Sequence, residues 1–137
     1  VTNSRKLTDL LPVVQVKAKA FLAAAKAEGI DVLITSTYRD NQSQDELYAQ
    51  GRTRPGKIVT NARGGQSFHN YRVAFDFVPV IGGKAVWNDL ALFRRLGKIG
   101  KSLGLEWGGD WKFRDYPHLQ YTGGLTIKQL QAGQVPT

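Results

Sequence analysis

The chain has 137 residues, 42% of them hydrophobic, enough to bury a core of its own, and it reads most simply as one domain, residues 1–137. It contains no cysteine, which excludes disulfides, thiol nucleophiles and cysteine-ligated zinc together. The net charge of +8 favours a polyanionic partner, nucleic acid or an acidic bacterial wall, without choosing between them.

No apolar run approaches the roughly 18–20 residues that cross a bilayer, so membrane insertion is not expected. Val1-Thr2-Asn3-Ser4 leads into an amphipathic segment without a charged-then-apolar leader pattern. Leu7, Leu10, Leu11, Val14, Ala18, Phe21, Leu22 and Ala25 then recur at helical spacing, with Lys17, Lys19 and Lys26 off that stripe. Either the helix begins at Pro12 or its first turn stands apart, and Gly29 stops it. Asp31–Tyr38 reads as a buried strand ending at Arg39. Asp40 or Asn41 caps a short helix over Gln42–Gln50, stopped by Gly51. Arg39 and Gln44 straddle that turn, either facing a site or lying solvated on the surface.

Residues 51–66 form a glycine-rich, basic loop, which is either the rim of a site or a solvated connection. Ala74–Val80 is the second strand, with Ala74, Asp76 and Val78 on one face and Phe75, Phe77 and Val80 on the other, given slack at Pro79. Gly82-Gly83 turns it back as a hairpin through Lys84-Ala85-Val86. Asn88 is the expected cap of a helix running to Leu103, ended by Gly104. Leu105-Glu106-Trp107 is extended, Gly108–Trp111 turns, His118–Tyr121 is a strand, and Thr126 caps a last short helix. Strands joined by hairpins and short connections, with helices beside them, predict an α+β fold: a small antiparallel sheet flanked by helices.

The chemistry concentrates around Ser67–Asp76. His69 is one of only two histidines, and Asp76 interrupts the apolar run Val73–Val80. A carboxylate there is costly to desolvate unless it is paired. The other histidine, His118, follows Asp115 by three residues, with Pro117 stiffening the segment between them. A catalytic zinc takes three protein ligands and leaves a position for water. His69, Asp76 and His118 satisfy that count, and Asp115 is then the group to exchange the proton of the water. The spacing is unlike the helical His-Glu-x-x-His motif, and isolated histidines are more often satisfied polar groups than ligands, so spacing alone leaves both readings open.

Ser67-x-His69-x6-Asp76 followed by Asp115-x-x-His118 resembles the zinc D-alanyl-D-alanine carboxypeptidase and L-alanyl-D-glutamate peptidase family, which includes phage endolysins and bacterial wall peptidases. Tyr38-Arg39-x4-Gln44-x2-Leu47-Tyr48-x2-Gly51-Arg52-Thr53-x-Pro55-Gly56, Val59-Thr60-Asn61-Ala62 and Leu105–Trp111 extend the likeness from about Ile34 to Gln120. The resemblance implies Zn2+ on His69, Asp76 and His118, Asp115 as the acidic catalytic residue, and Arg39 as the residue that binds substrate carboxylate or stabilises an oxyanion. Ser67 and Gln44 would lie near the substrate backbone or support the site. Trp111, with Trp107, would wall the cleft or simply pack. The family often has glycine where this chain has Arg72, so either the turn differs there or no left-handed residue is required; Arg72 would also add positive charge near the site.

The implied function is a zinc peptidoglycan peptidase of the endolysin type, cutting the L-alanyl-D-glutamate bond of the stem peptide. It would be a monomer made in the host cytoplasm and acting on the wall after release. The competing readings are a D-alanyl-D-alanine carboxypeptidase or dipeptidase and, from another class, a basic wall- or nucleic-acid-binding module without catalysis. Scattered Lys and Arg with no nucleic-acid motif count against nucleic acid as partner.

Overall fold

The computed structural model describes residues 1–137. A single 3-10 turn at Leu7–Asp9 precedes helix α1, Pro12–Ala27, so the first turn stands apart and Pro12 opens the helix. Strand β1 is Asp31–Ser36, helix α2 Asn41–Ala49 and strand β2 Ala74–Ile81. Strand β3, Lys84–Ala85, returns from the Gly82-Gly83 turn, where both glycines have positive φ. Helix α3 is Leu90–Ser102, strand β4 Glu106–Trp107, strand β5 His118–Gln120 and helix α4 Ile127–Gln131. The strands form one antiparallel sheet in the order β1-β2-β5-β4, with β3 pairing the far end of β2. This is the expected α+β architecture.

The sheet separates core from chemistry. Strand residues alternate faces, so Phe75 and Phe77 turn one way and Asp76 the other. On the helical side Phe21 of α1 meets Phe75 and Phe77 with ring centroids 6.0 and 5.1 Å apart, and Phe93 of α3 meets Phe77 at 5.6 Å. Val14, Ala18, Leu96 and Leu119 close this core, all fully buried. Two glycines let α3 lie close on the sheet: a Cβ at Gly97 would enter the Trp107 indole, and one at Gly100 would come within 2.6 Å of a Leu119 methyl. Gly97→Ala is therefore expected to destabilise the fold by about 1–3 kcal/mol, the usual cost of overpacking, read as a fall in urea midpoint at unchanged slope.

Several details depart from the sequence reading. β1 is an edge strand rather than a buried one: Asp31 and Leu33 are exposed, and it ends at Ser36. Val80 does not join Phe75 and Phe77, because the register with β1 runs unbroken through Pro79 and alternation keeps Val80 on the Asp76 side. The irregularity falls on β1 instead, where an extra residue between Ile34 and Ser36 brings Ser36 opposite Asp76. Helix α3 is capped by Asp89, whose carboxylate accepts the Leu92 N–H at 3.0 Å, and not by Asn88.

Asp40 caps α2, accepting the Ser43 N–H at 2.7 Å. That bond, aided by the Thr2 N–H, holds its carboxyl below the usual carboxylate range. A depressed folded pKa gives stability that is complete above the unfolded value and fades as pH falls through the folded one. The melting temperature of Asp40→Ala should accordingly lie below wild type at neutral pH, and the gap should close on strong acidification.

Candidate metal centre and active cleft

The centre is assembled from β2, β5 and the turn that leads into β2. Ser67 caps a 3-10 turn over Phe68–Tyr71 by accepting the His69 N–H, while the Asn70 side chain accepts the Ser67 N–H at 3.1 Å and donates to the Arg39 carbonyl at 2.8 Å. His69 is thereby fixed beside the end of β1. Asp76 sits opposite His118 in the β2–β5 ladder, so the pairing register alone brings the carboxylate to the second imidazole. One ligand atom from each of His69, Asp76 and His118 lies within 4.8 Å of the others. His69 Nε2 is 3.1 Å and His118 Nδ1 3.2 Å from the same Asp76 oxygen.

The donor set fits a zinc ion. His69 Nδ1 is 2.8 Å from the Thr37 carbonyl, which can only accept, so this nitrogen carries the hydrogen and Nε2 offers its lone pair. His118 turns Nε2 to Gln120 Oε1 at 2.7 Å and Nδ1 to the cluster. Burial is the largest influence on Asp76 and favours its neutral form, but His69 and His118 together outweigh it and hold the carboxyl well below the usual range. An ionised carboxylate and two oriented imidazoles are ligands suited to zinc.

Asp115 reaches the centre from another direction. Its Oδ2 is 3.8 Å from His118 Nδ1, and its side chain is half exposed. Burial of the group, with repulsion from Asp76, raises its carboxyl above the ordinary range against the main counterweight of His118. Gly108 makes this approach possible. Its carbonyl accepts the N–H of Trp111 at 3.2 Å and of Asp115 at 2.9 Å, and a Cβ on Gly108 would strike the Asp115 carbonyl.

Arg39 closes the other side. Its Nη1 donates to Gln44 Oε1 at 2.8 Å and its Nη2 to Ser36 Oγ at 3.1 Å, with Asp76 Oδ2 3.8 Å away. Burial lowers its pKa, opposed by the charges of Asp76 and Asp115. A cleft of about 530 Å³ joins these groups, lined by Arg39, Ser67, His69, Asp76, Trp111, Asp115 and His118 and, from the rim, Leu47, Val59, Thr60, Ala62, Gln66 and Phe68. Loop 51–66 is thus a rim and not merely solvated. Arg52 holds it by stacking 3.8 Å over the Tyr48 ring and donating to the Tyr48 and Thr60 carbonyls.

Of the residues singled out from sequence, His69, Asp76, His118, Asp115, Arg39, Ser67 and Trp111 meet in this one cleft. Trp111 stands against His118 with centroids 4.9 Å apart, whereas Trp107 belongs to the core and donates its indole N–H to the Tyr116 carbonyl. Gln44 does not face the cleft. It is fully buried, bonded to Arg39 and to the Ala62 carbonyl at 2.8 Å, and supports both. Arg72 keeps the left-handed conformation, with φ of 63°, so glycine's geometry persists without glycine. Strain of about 1–2 kcal/mol is offset by local contacts: its guanidinium lies 3.8 Å over Tyr38 and donates to the Asp9 carbonyl, and Arg72 is not among the residues that line the cleft. Glu106 and Gly108 stood in the motif Leu105–Trp111 without a role, and the Thr37 carbonyl and Gln120 were not singled out, although Gln120 lies two residues from His118 on the same face of a strand.

A carboxylate poised beside a metal-ligand cluster in an open cleft is the chemistry of metal-dependent hydrolases. A family model described as D-alanyl-D-alanine carboxypeptidase matches residues 60–121. The chain is 49% identical over 123 residues to the peptidoglycan L-alanyl-D-glutamate endopeptidase CwlK of Bacillus subtilis, covering 82% of this chain and 74% of that protein. It is 33% identical to the L-alanyl-D-glutamate peptidase of a Listeria phage, covering 88% of this chain but 40% of that longer protein. The fold matches the zinc-bound vancomycin-resistance D,D-pentapeptidase VanY with a TM-score of 0.66 at 17% identity, covering 96% of this chain and 89% of VanY. It also matches the Serratia marcescens L-Ala D-Glu endopeptidase ChiX with a TM-score of 0.63 at 20% identity, covering 90% of this chain and 85% of ChiX. The chain belongs to the D-alanyl-D-alanine carboxypeptidase and L-alanyl-D-glutamate peptidase family and is a peptidase.

Proposed function

We propose that residues 1–137 act as one zinc-dependent peptidoglycan peptidase domain, an endopeptidase that cleaves the L-alanyl-D-glutamate bond of the stem peptide. The observation that carries the chemistry is the convergence of His69, Asp76 and His118 within 4.8 Å, with Asp115 beside His118. The choice of bond is supported by the 49% identity to an endopeptidase of that specificity over most of both chains.

In this reading His69 Nε2, one Asp76 oxygen and His118 Nδ1 would hold zinc, which when bound would supply a Lewis acid for the attacking water and the scissile carbonyl. Asp115 accepts the proton of the attacking water and delivers it to the leaving amine of D-glutamate. Its half-exposed side chain, 3.8 Å from His118, can reach both the water and the leaving amine. Arg39 places a fixed positive charge beside the carbonyl oxygen as that oxygen becomes negative, or against a substrate carboxylate. Gln44 and Ser36 hold the guanidinium so that little reorganisation is needed. Ser67 and Trp111 border the path of the peptide, Ser67 through the turn that orients His69 and Trp111 as a wall against His118.

The partner is the peptidoglycan stem peptide, not nucleic acid, and the working unit is a monomer. It is made in the host cytoplasm and meets the wall after release, a reading supported by the phage relative. No helix is long and apolar enough to cross a membrane.

Digestion of purified peptidoglycan, with and without a chelator, tests the whole reading. New amino termini on D-glutamate that disappear with chelation are expected. Release of D-alanine alone would replace the proposed bond with the D-alanyl-D-alanine one. Metal-independent binding without any new termini would replace the enzyme with a binding module.

A further inference from the structure

Each imidazole of the cluster must keep a hydrogen on the nitrogen that turns away from the metal. For His69 the main chain enforces this, through the Thr37 carbonyl. For His118 the enforcement runs through side chains. His118 Nε2 is 2.7 Å from Gln120 Oε1, Gln120 Nε2 donates to Glu106 Oε2 at 2.7 Å, and the other Glu106 oxygen accepts the Thr122 hydroxyl at 3.1 Å. Thr122 in turn accepts the Gly124 N–H at 3.3 Å. Gln120 is 2% exposed and Thr122 3% exposed, so the relay is walled from solvent on all but its Glu106 end.

The direction of every bond follows from one group. An amide side chain can turn either its oxygen or its nitrogen to a neighbour, and an imidazole can carry its hydrogen on either nitrogen. A carboxylate can only accept. With Glu106 fixed opposite Gln120 by the β4–β5 register, the amide must turn its NH2 to Glu106 and its oxygen to His118. The oxygen then requires a hydrogen on His118 Nε2, and the lone pair falls on Nδ1, which faces Asp76.

We propose that Glu106 is a positioning residue for the metal centre: acting through Gln120, it sets the tautomer of His118 and with it the zinc affinity of the site. The inference rests on the zinc reading of His69, Asp76 and His118. Glu106 touches neither ligand nor substrate, and its carboxylate works from beyond the cleft. The geometry also assigns the two imidazoles different vulnerabilities. His69 is protected by backbone, whereas His118 can be disoriented by substitutions that leave all three ligands in place.

The test is zinc affinity measured by competition with a chromogenic chelator, alongside thermal unfolding of the metal-free proteins. Gln120→Leu and Glu106→Ala are expected to weaken zinc binding roughly 10–100-fold, the usual cost of losing an outer partner of a ligating histidine. The double variant Glu106→Gln with Gln120→Glu reverses the bond between positions 106 and 120 but keeps His118 Nε2 as a donor, because the new carboxylate at 120 accepts from both the new amide and His118. It is expected to recover affinity to within a few-fold of wild type. A role confined to holding β4 against β5 would lower the metal-free melting temperature without changing affinity and without rescue by the swap. Wild-type affinity in both Gln120→Leu and Glu106→Ala overturns the proposal, and should Gln120→Leu not fold, wild-type affinity in Glu106→Ala does so alone. Failure of the wild-type protein to bind zinc would overturn the underlying metal reading instead.

Discussion

Asp115→Ala is expected to bind zinc as wild type does and to lose hydrolysis by roughly 10²–10⁴-fold, the range a positioned proton-transfer group contributes. The expectation follows from where Asp115 sits. It is outside the cluster of three ligands, its oxygen is 3.8 Å from His118, and its side chain is half exposed in the cleft. Its backbone is held by Gly108, so truncating the side chain leaves the loop in place. The loss should fall on kcat more than on KM, because the proton moves only as the bond breaks. Zinc content by elemental analysis and steady-state rates on soluble muropeptides separate the two quantities. A rate within a few-fold of wild type would remove Asp115 from the mechanism.

Asp76→Asn should have the opposite profile. It keeps the shape of the side chain and the β2–β5 register but removes the one negative ligand that both imidazoles face. Zinc affinity is expected to fall by more than the roughly 10–100-fold that follows from losing an outer partner, and activity should fall with it. The metal-free protein should fold, because Phe75 and Phe77 anchor β2 from its other side. Equilibrium dialysis against zinc and far-ultraviolet circular dichroism check the two halves. Retention of tight zinc would mean that the carboxylate pairs with Arg39 and is not a ligand.

The residues that carry chemistry were legible because the chain offers so few of them. With no cysteine and two histidines, any catalytic zinc had to draw on His69 and His118, and Asp76 stood out as a carboxylate in an apolar strand. Period-two alternation placed Phe75 and Phe77 correctly on the core side, opposite Asp76. It failed at Val80 because the irregularity near the site lies in β1, where Thr35 looks like any strand residue. The edge position of β1 was hidden for a similar reason: Val32, Leu33 and Ile34 suit a buried strand, and only the pairing order shows that one side is free. Arg72 was misread through propensity, since contacts with Tyr38, Asp9 and Leu11 override the local preference against positive φ. The Glu106–Gln120 relay depends on which strands become neighbours, and no spacing in the chain records that.

The single carbonyl of Gly108 holds the amides of both Trp111 and Asp115. Lys112, Phe113 and Arg114 therefore hang from one anchor as a closed, exposed tip, with Phe113 78% open to solvent. Residues 112–114 lie between two residues that line the cleft, Trp111 and Asp115, and the shared anchor insulates both from changes in the length or composition of the tip.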